Sequence, residues 1–374
     1  MVHRRVEAYY NRILNSHKVA PEIHFGEVTS AKSLCLSMAW MVYLTLEILV
    51  AVACCLGNVM VVWAVQMRRS LRQPTFCFVV SLAVADFLVG TVAVPLAVLV
   101  DGWVRTSFHA CLAVSCVVLV LTQASVLSLL AIAVDRYLRV RIPLRYKSMA
   151  TQRRSWAAVA LCWLVSCLLG FPPLFGWHNG SPGAPSASAN STVIECTFLA
   201  VVSLPYMVYF NYFGCILLPL LAMTLLYALV FRNLRVRLRR ESASGEPASR
   251  AFYERERRLA SSLALVLAIF AVCWMPLHVM NCVLLFSRGP GAVSQGAFYA
   301  GILLSHANSA VNPVVYALRI QKIREAYTEI WSRCFLCRHK RQRRRDSYVW
   351  QGGLAGSHET GSSPVSLSAQ AVRP

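Results

Sequence analysis

Ser305-His306-Ala307-Asn308-Ser309-Ala310-Val311-Asn312-Pro313-Val314-Val315-Tyr316 is a polar run set inside a long apolar segment. It carries an imidazole, two carboxamides, two serine hydroxyls and a proline. Hydrocarbon tolerates such groups poorly, so they face a bundle interior or a water-filled cavity and are functional candidates by default. Ser305 lies three residues before Asn308 and Asn312 four after it, which puts all three on one helix face. Pro313 removes a backbone hydrogen bond and invites a kink at that depth. The run alone leaves two readings open, polar glue between packed helices or a wet site inside a bendable helix.

The 374 residues around it are 57% hydrophobic and only 14% charged. A soluble domain carries ~25% charged residues, so the composition is that of a membrane protein. Residues 1–34 hold Arg4, Arg5, Arg12 and Lys18 among polar residues, and no apolar run there precedes a small-residue cleavage site. The net charge of +21 is not spread evenly. It gathers at Arg68, Arg69 and Arg72, at Arg139 to Arg154, at Arg232 to Arg258 and after Arg319, while the alternate loops hold little beyond Arg105 and Arg288. That alternation is the positive-inside pattern. Nucleic-acid binding, the rival reading of a basic chain, would not follow membrane topology.

Seven apolar stretches reach the ~20 residues a bilayer demands. They lie near 38–66, 75–100, 110–138, 156–177, 205–231, 258–287 and 295–318. The expected fold is an all-α membrane protein, a seven-transmembrane helix bundle. The charge map puts the N-terminal segment 1–37 outside the cell and the bundle at 38–318. The basic N-terminal residues argue the other way, but most lie farther than ~20 residues from the first span, where the rule weakens. After the bundle, Ile320, Ile323, Tyr327, Ile330 and Trp331 recur at three and four. They predict a short amphipathic eighth helix on the inner membrane surface over 319–335. Cys334 and Cys337 end it where palmitoylation would pin it, and 336–374 reads as a disordered tail.

Several residues inside or beside the spans carry chemistry. Glu47 is an acid in the first span and needs a partner; Asp86 sits near the middle of the second. The third carries Thr122 and Ser125 on one face and ends in Asp135-Arg136-Tyr137. The fifth holds Asn211, Pro219 and Tyr227, and in the sixth Trp274, His278 and Asn281 stand at i, i+4 and i+7 on one face. Nine cysteines lie within apolar segments as small hydrophobes. Cys111 and Cys196 are expected as the pair at the oxidising face. Asn190-Ser191-Thr192 is an N-glycosylation acceptor if its loop is extracellular, and Asn179-Gly180-Ser181 is a weaker match because Pro182 follows.

Taken together, Gly57-Asn58, Leu82-Ala83-Val84-Ala85-Asp86, Asp135-Arg136-Tyr137, Trp163, Pro219, Cys273-Trp274-Met275-Pro276 and Asn312-Pro313-Val314-Val315-Tyr316 resemble the rhodopsin-like G-protein-coupled receptors over residues 40–335. Each motif alone is weak; their order within seven spans is specific. Finer runs resemble the adenosine receptors: Leu130 to Val140, Tyr206 to Asn211, and Ser305-His306-Ala307-Asn308-Ser309. Glu47 paired with His306 is a further mark of that family and meets the need of Glu47 for a partner. The spans hold no lysine for a retinal Schiff base, and Val118 and Leu119 stand where amine receptors carry an acid, so a neutral heterocycle suits the site. The resemblance is mixed between subtypes, with Leu199 where most members have an acid, and favours the subtype one/three branch.

That resemblance implies a ligand set. Asn281 would bond the adenine ring through donor and acceptor at once, and Phe198 would stack on it. Thr122, Ser305 and His306 would reach the ribose, with His278 nearby, between apolar walls of Leu119, Met207, Trp274, Leu277 and Ile302. Asp86, Ser125, Asn308 and Asn312 resemble a sodium pocket, the right oxygens for a hard cation. For activation, Arg136 would pair with Asp135 and with Glu256, while Tyr137, Tyr227, Pro313 and Tyr316 serve the inner end. The expected partners are extracellular adenosine and a heterotrimeric G protein, of the inhibitory class by resemblance and the stimulatory class as the alternative. No enzyme is expected: neither a Gly-framed Ser elbow nor His-Glu-x-x-His occurs. A transporter would show repeats between halves, and none is visible.

Overall fold

The computed structural model describes residues 26–68, 71, 73–99, 105–180, 193–244, 247–287 and 293–333. Seven long helices occupy them: α1 (Gly26–Met67), α2 (Pro74–Val98), α3 (Phe108–Arg141), α4 (Gln152–Gly170), α5 (Tyr206–Ala243), α6 (Pro247–Phe286) and α7 (Gln295–Arg319). A further helix, α8, covers 321–333. It falls inside the expected 319–335, whereas Cys334, Cys337 and Asn190 lie outside the described residues. Five of the seven helices are long and apolar enough to cross a membrane by composition. The other two are α4, with Arg153 and Arg154 in its first turn, and α7, which carries the polar run.

Helix starts follow local chemistry. Ser107, Thr151 and Ser294 cap α3, α4 and α7 by accepting from the backbone N–H groups of Ala110, Arg154 and Ala297. Proline shapes the interiors. The backbone widens into π-helix over Val89–Ala93 and Tyr206–Leu217, in each case shortly before a proline, Pro95 and Pro219. A proline lacks the N–H and its ring clashes with the carbonyl four residues back, and an extra residue per turn relieves both. After α3, Ile142 leaves helical geometry and Pro143–Met149 forms a separate short helix, as the proline in that basic loop predicts.

Four boundaries differ from the sequence expectation. The fourth span ends at Gly170 rather than near 177, because Pro172–Phe175 turns as a 3-10 helix. Helices α5 and α6 run well past the apolar spans into the basic loop, and α1 begins at Gly26 rather than near 38. Apolarity stops at the membrane edge, whereas helix propensity does not.

Helix α3 is the axis of the bundle, packing against α2, α4, α5 and α6, and α7 closes the ring between α6 and α1. The outward faces are apolar, with Leu46, Leu49, Leu161, Leu164, Leu168 and Leu221 all exposed; in a bilayer that surface meets lipid. Among the described residues one two-stranded sheet stands beside the helices. β1 (Arg105–Ser107) pairs antiparallel with β2 (Val193–Glu195) in the register Arg105↔Glu195, Thr106↔Ile194 and Ser107↔Val193. Directly after it, Cys196 joins Cys111 at the head of α3, with Cα atoms 5.6 Å apart.

Close helix approach depends on glycine. A Cβ on Gly170 would lie 2.6 Å from Val120 Cγ2 and 2.8 Å from its backbone N, and one on Gly57 2.9 Å from Pro313 Cγ. Backbone cannot yield as a side-chain tip can. Gly170→Ala is therefore expected to push α4 off α3 at a cost of ~1–3 kcal/mol. A lowered thermal midpoint of the detergent-solubilised protein, against an unchanged one for Gly296→Ala, whose Cβ meets nothing within 4 Å, checks it.

Candidate functional site

One cavity of about 280 Å³ opens among α2, α3, α5, α6, α7 and the segment after β2. It lies near the ~300 Å³ lower end of small-molecule sites. The disulfide decides its roof: Cys196 is tied to α3, so Thr197, Phe198 and Leu199 are laid over the opening. Asn179 holds the same segment from behind, its carboxamide donating to the carbonyls of Leu199, Ala200 and Val202 at 2.8, 3.3 and 3.3 Å. That engagement gives the Asn179 carboxamide a structural role in holding the segment.

Every residue expected to touch ligand lines this cavity except Glu47: Asn281, His278, Phe198, Thr122, Ser305, His306, Leu119, Met207, Trp274, Leu277 and Ile302. Glu47 is fully buried behind it, its Oε2 2.8 Å from His306 Nδ1. The carboxylate thereby orients the ring and leaves the other edge of His306 to the cavity. Thr122 and Ser305 donate their hydroxyls to the carbonyls of Val118 and Ile302, so their oxygens face the cavity as acceptors. His278 is 1% exposed, and neither ring nitrogen has a hydrogen-bond partner. It is held by rings alone, stacked on Tyr212 at 4.7 Å and Trp274 at 5.8 Å. A satisfied core histidine would show the opposite. Gln123, one turn deeper, donates to Asn211 at 2.8 Å and braces α3 against α5.

Below the cavity, Asp86 is completely buried. Its two oxygens accept from Ser309 Oγ at 2.8 Å and Asn312 Nδ2 at 2.7 Å. Asn308, expected to face Asp86, does not bond it; Ser309, three residues before Asn312 and on its face, takes that place, while Asn308 lines the cavity floor. The oxygens of Ser125, Asn308 and Asn312 are buried without a partner. Asn58 joins α1 to the same layer by donating to Ser309 O at 3.1 Å.

At the inner end Arg136, 1% exposed, bonds Asp135 at 2.7 Å and Glu256 of α6 at 3.0 Å. Glu256 is buried, not a solvated loop acid, and also holds Arg139 at 2.9 Å. Sequence reasoning missed Arg139, Thr75 and Tyr146. Thr75 donates to Asp135 Oδ2 at 2.6 Å and accepts from Arg136, and Tyr146 donates to Asp135 Oδ1 at 2.7 Å. Burial and the neighbouring Asp135 charge raise the pKa of the Tyr146 phenol. No motif spacing signals these contacts, which come from α2, the last turn of α3 and the short helix after it. Tyr227, Pro313 and Tyr316 are buried, and Tyr137 packs on the Val140–Val230–Leu234 cluster.

A seven-helix bundle with lipid-facing apolar walls, a small-molecule cavity between its helices and an ion-pair cluster at the far end defines a multi-pass membrane receptor. Residues 57–316 match the model of the 7 transmembrane receptor (rhodopsin family). The chain is similar to the adenosine receptor A3 of Ovis aries, 48% identical over 295 residues, covering 79% of this chain and 91% of that one. It is 46% identical over 305 residues to the adenosine receptor A3 of Bos taurus (82% and 94%), and 44% identical over 302 to that of Canis lupus familiaris (81% and 94%). The chain belongs to the adenosine receptors of the rhodopsin family, a family of receptors and not of enzymes.

The Glu47–His306 bond joins α1 to α7 with no water to replace it. Glu47→Ala leaves a buried ring nitrogen unpaired at ~1–3 kcal/mol, and Glu47→Gln keeps a hydrogen bond. The thermal midpoint is expected to fall for the alanine variant clearly more than for glutamine; equal falls would show that the pair carries no structural weight.

Proposed function

We propose that this chain is a plasma-membrane receptor for extracellular adenosine, with its N-terminus outside, acting through a heterotrimeric G protein of the inhibitory class to lower adenylate cyclase activity. The observation that carries the reading is the convergence of Asn281, Phe198 and the unpartnered His278 on one small cavity. Adenine offers an adjacent donor and acceptor, which a carboxamide meets with both of its groups, and a flat face for Phe198. The acceptor oxygens of Thr122 and Ser305, with His306 held by Glu47, suit the hydroxyls of ribose. The kinship with adenosine receptors A3 supports the ligand, and the inhibitory class rests on the resemblance of the sequence to the subtype one/three branch.

Agonist acts by binding one arrangement of the bundle better than another, which shifts the population. Trp274 lines the cavity and Pro276 follows it within α6, so ligand contact reaches the point where α6 has lost a backbone bond. At the other end of α6, Glu256 holds Arg136 and Arg139. Release of that cluster frees α6 from α3 and opens an inner groove for the G protein, while Pro313 gives α7 its own bend.

A sodium ion fits the layer between: Asp86 supplies a carboxylate, and Ser125, Asn308 and Asn312 supply buried oxygens without partners. When bound, the ion supplies the positive charge that neutralises Asp86 in a dry interior.

Labelled adenosine analogue should bind saturably and more weakly with a non-hydrolysable GTP analogue present. Asn281→Ala should weaken it by ~100-fold or more, because a site built for hydrogen bonds rejects an unmatched partner strongly. In cells, adenosine should lower cAMP; a rise would place the receptor on the stimulatory side. Sodium should weaken agonist binding, and Asp86→Asn should abolish that effect, so a sodium response surviving in the variant removes the ion from this layer.

A further inference from the structure

The outer flank of α5 changes character once along its length. Leu218, Leu221 and Leu225 continue into Arg232, Arg235 and Arg239 at steps of three, four and seven, so all six lie along one stripe. The leucines are 62%, 57% and 61% exposed and meet acyl chains in a bilayer. Arg232 follows Leu225 by ~10 Å of helix. There, Arg235 and Arg239 with Arg257 of α6 line a groove of about 570 Å³ between the two helices, floored by Phe231 and Leu238 and edged by Ser242 and Ser261. A second hollow of about 350 Å³ adjoins it and adds Arg232.

All four arginines are exposed. Among the described residues none makes an ion pair or a protein hydrogen bond, in contrast to Arg237 on the inner flank, which bonds Tyr253 Oη at 3.2 Å and Arg141 O at 3.4 Å. Nearby acids do not neutralise them. Glu254 is taken by Arg250 at 3.2 Å, and Glu241 lies two residues beyond Arg239, ~200° around the helix. Four guanidinium groups thus converge on a groove with an apolar floor and no counter-charge of its own. Guanidinium favours phosphate through paired N–H donors.

We propose that this groove docks a membrane lipid with a multiply phosphorylated headgroup, the phosphates among Arg232, Arg235, Arg239 and Arg257 and the acyl chains along Leu218, Leu221 and Leu225. The occupant is a lipid rather than a free phosphate because the basic groove continues directly from a lipid-facing leucine stripe, so one molecule reaches both. Four charges exceed what a single phosphodiester matches, which selects a polyphosphoinositide over singly charged lipids. Lying across α5 and α6, it ties their ends together on the outer flank, opposite the Glu256 cluster on the inner one.

The test uses the full chain in phosphatidylcholine nanodiscs doped with fluorescent phosphatidylinositol bisphosphate. Nanodiscs expose both leaflets, so the result does not depend on the topology or ligand proposed above. Replacing the four arginines with glutamine (R232Q/R235Q/R239Q/R257Q) should weaken lipid binding by ~10-fold or more, and the four lysine replacements should retain most of it. An unchanged thermal midpoint in the glutamine variant guards against loss of fold. Phosphatidylserine should compete poorly. The proposal is overturned if the glutamine variant binds as the parent does, if phosphatidylserine competes equally, or if soluble inositol trisphosphate binds as well as the lipid.

Discussion

A polar group in hydrocarbon must find its partner inside the protein, because no water is there to replace it. In this bundle the rule is met by bonds between helices far apart in sequence. Glu47 meets His306 across 259 residues, Asp86 meets Asn312 across 226, and Arg136 meets Glu256 across 120. Each bond fixes the rotation of two helices at once, since turning either away would strand a charge or a carboxamide in the bilayer. The apolar surfaces cannot supply this, because lipid is as good a neighbour for leucine as another leucine is.

Several exceptions to the rule gather in one place. His278, Trp274 Nε1, Thr197, Ser125 and Asn308 carry buried polar atoms without protein partners, and all five residues line the outer cavity. A protein that pairs Arg136 and both oxygens of Asp86 inside its bundle has kept these groups for something else. Partner-seeking atoms, an aromatic lid held by a disulfide and apolar walls are the marks of a small-ligand site. The same economy separates function along α7, where Ser305 and His306 face the cavity, Ser309 and Asn312 hold Asp86, and Pro313 sits against Gly57 of α1.

Much of this was legible without coordinates. The residues of the outer cavity share helix faces by spacing alone, as Trp274, His278 and Asn281 do, and an isolated acid such as Glu47 announces that a partner exists. Ser309 could have been found by the same reasoning, being three residues from Asn312, but the serine read as part of a motif run rather than as a ligand of Asp86. Thr75 and Tyr146 could not. Their contacts with Asp135 and Arg136 depend on where α2 begins and on how the chain folds back after Pro143, and neither residue type stands out in its own segment. The ribbon of β1 and β2 was hidden for a related reason: three residues a side are too few for a periodic signal.

By itself the sequence determined the spans, their number, the side on which positive charge collects and the helix faces that carry chemistry, because these follow from composition and from the period of a helix. It also set prolines inside α6 and α7, Pro276 and Pro313, where each removes a backbone hydrogen bond. Only the tertiary structure decided which polar residues pair and which are left facing the cavity, because pairing is a property of two helices and a sequence describes one at a time. It likewise decided that the polar run from Ser305 to Tyr316 is three separate contacts rather than one glue seam, since α1, α2 and the cavity meet α7 at different heights.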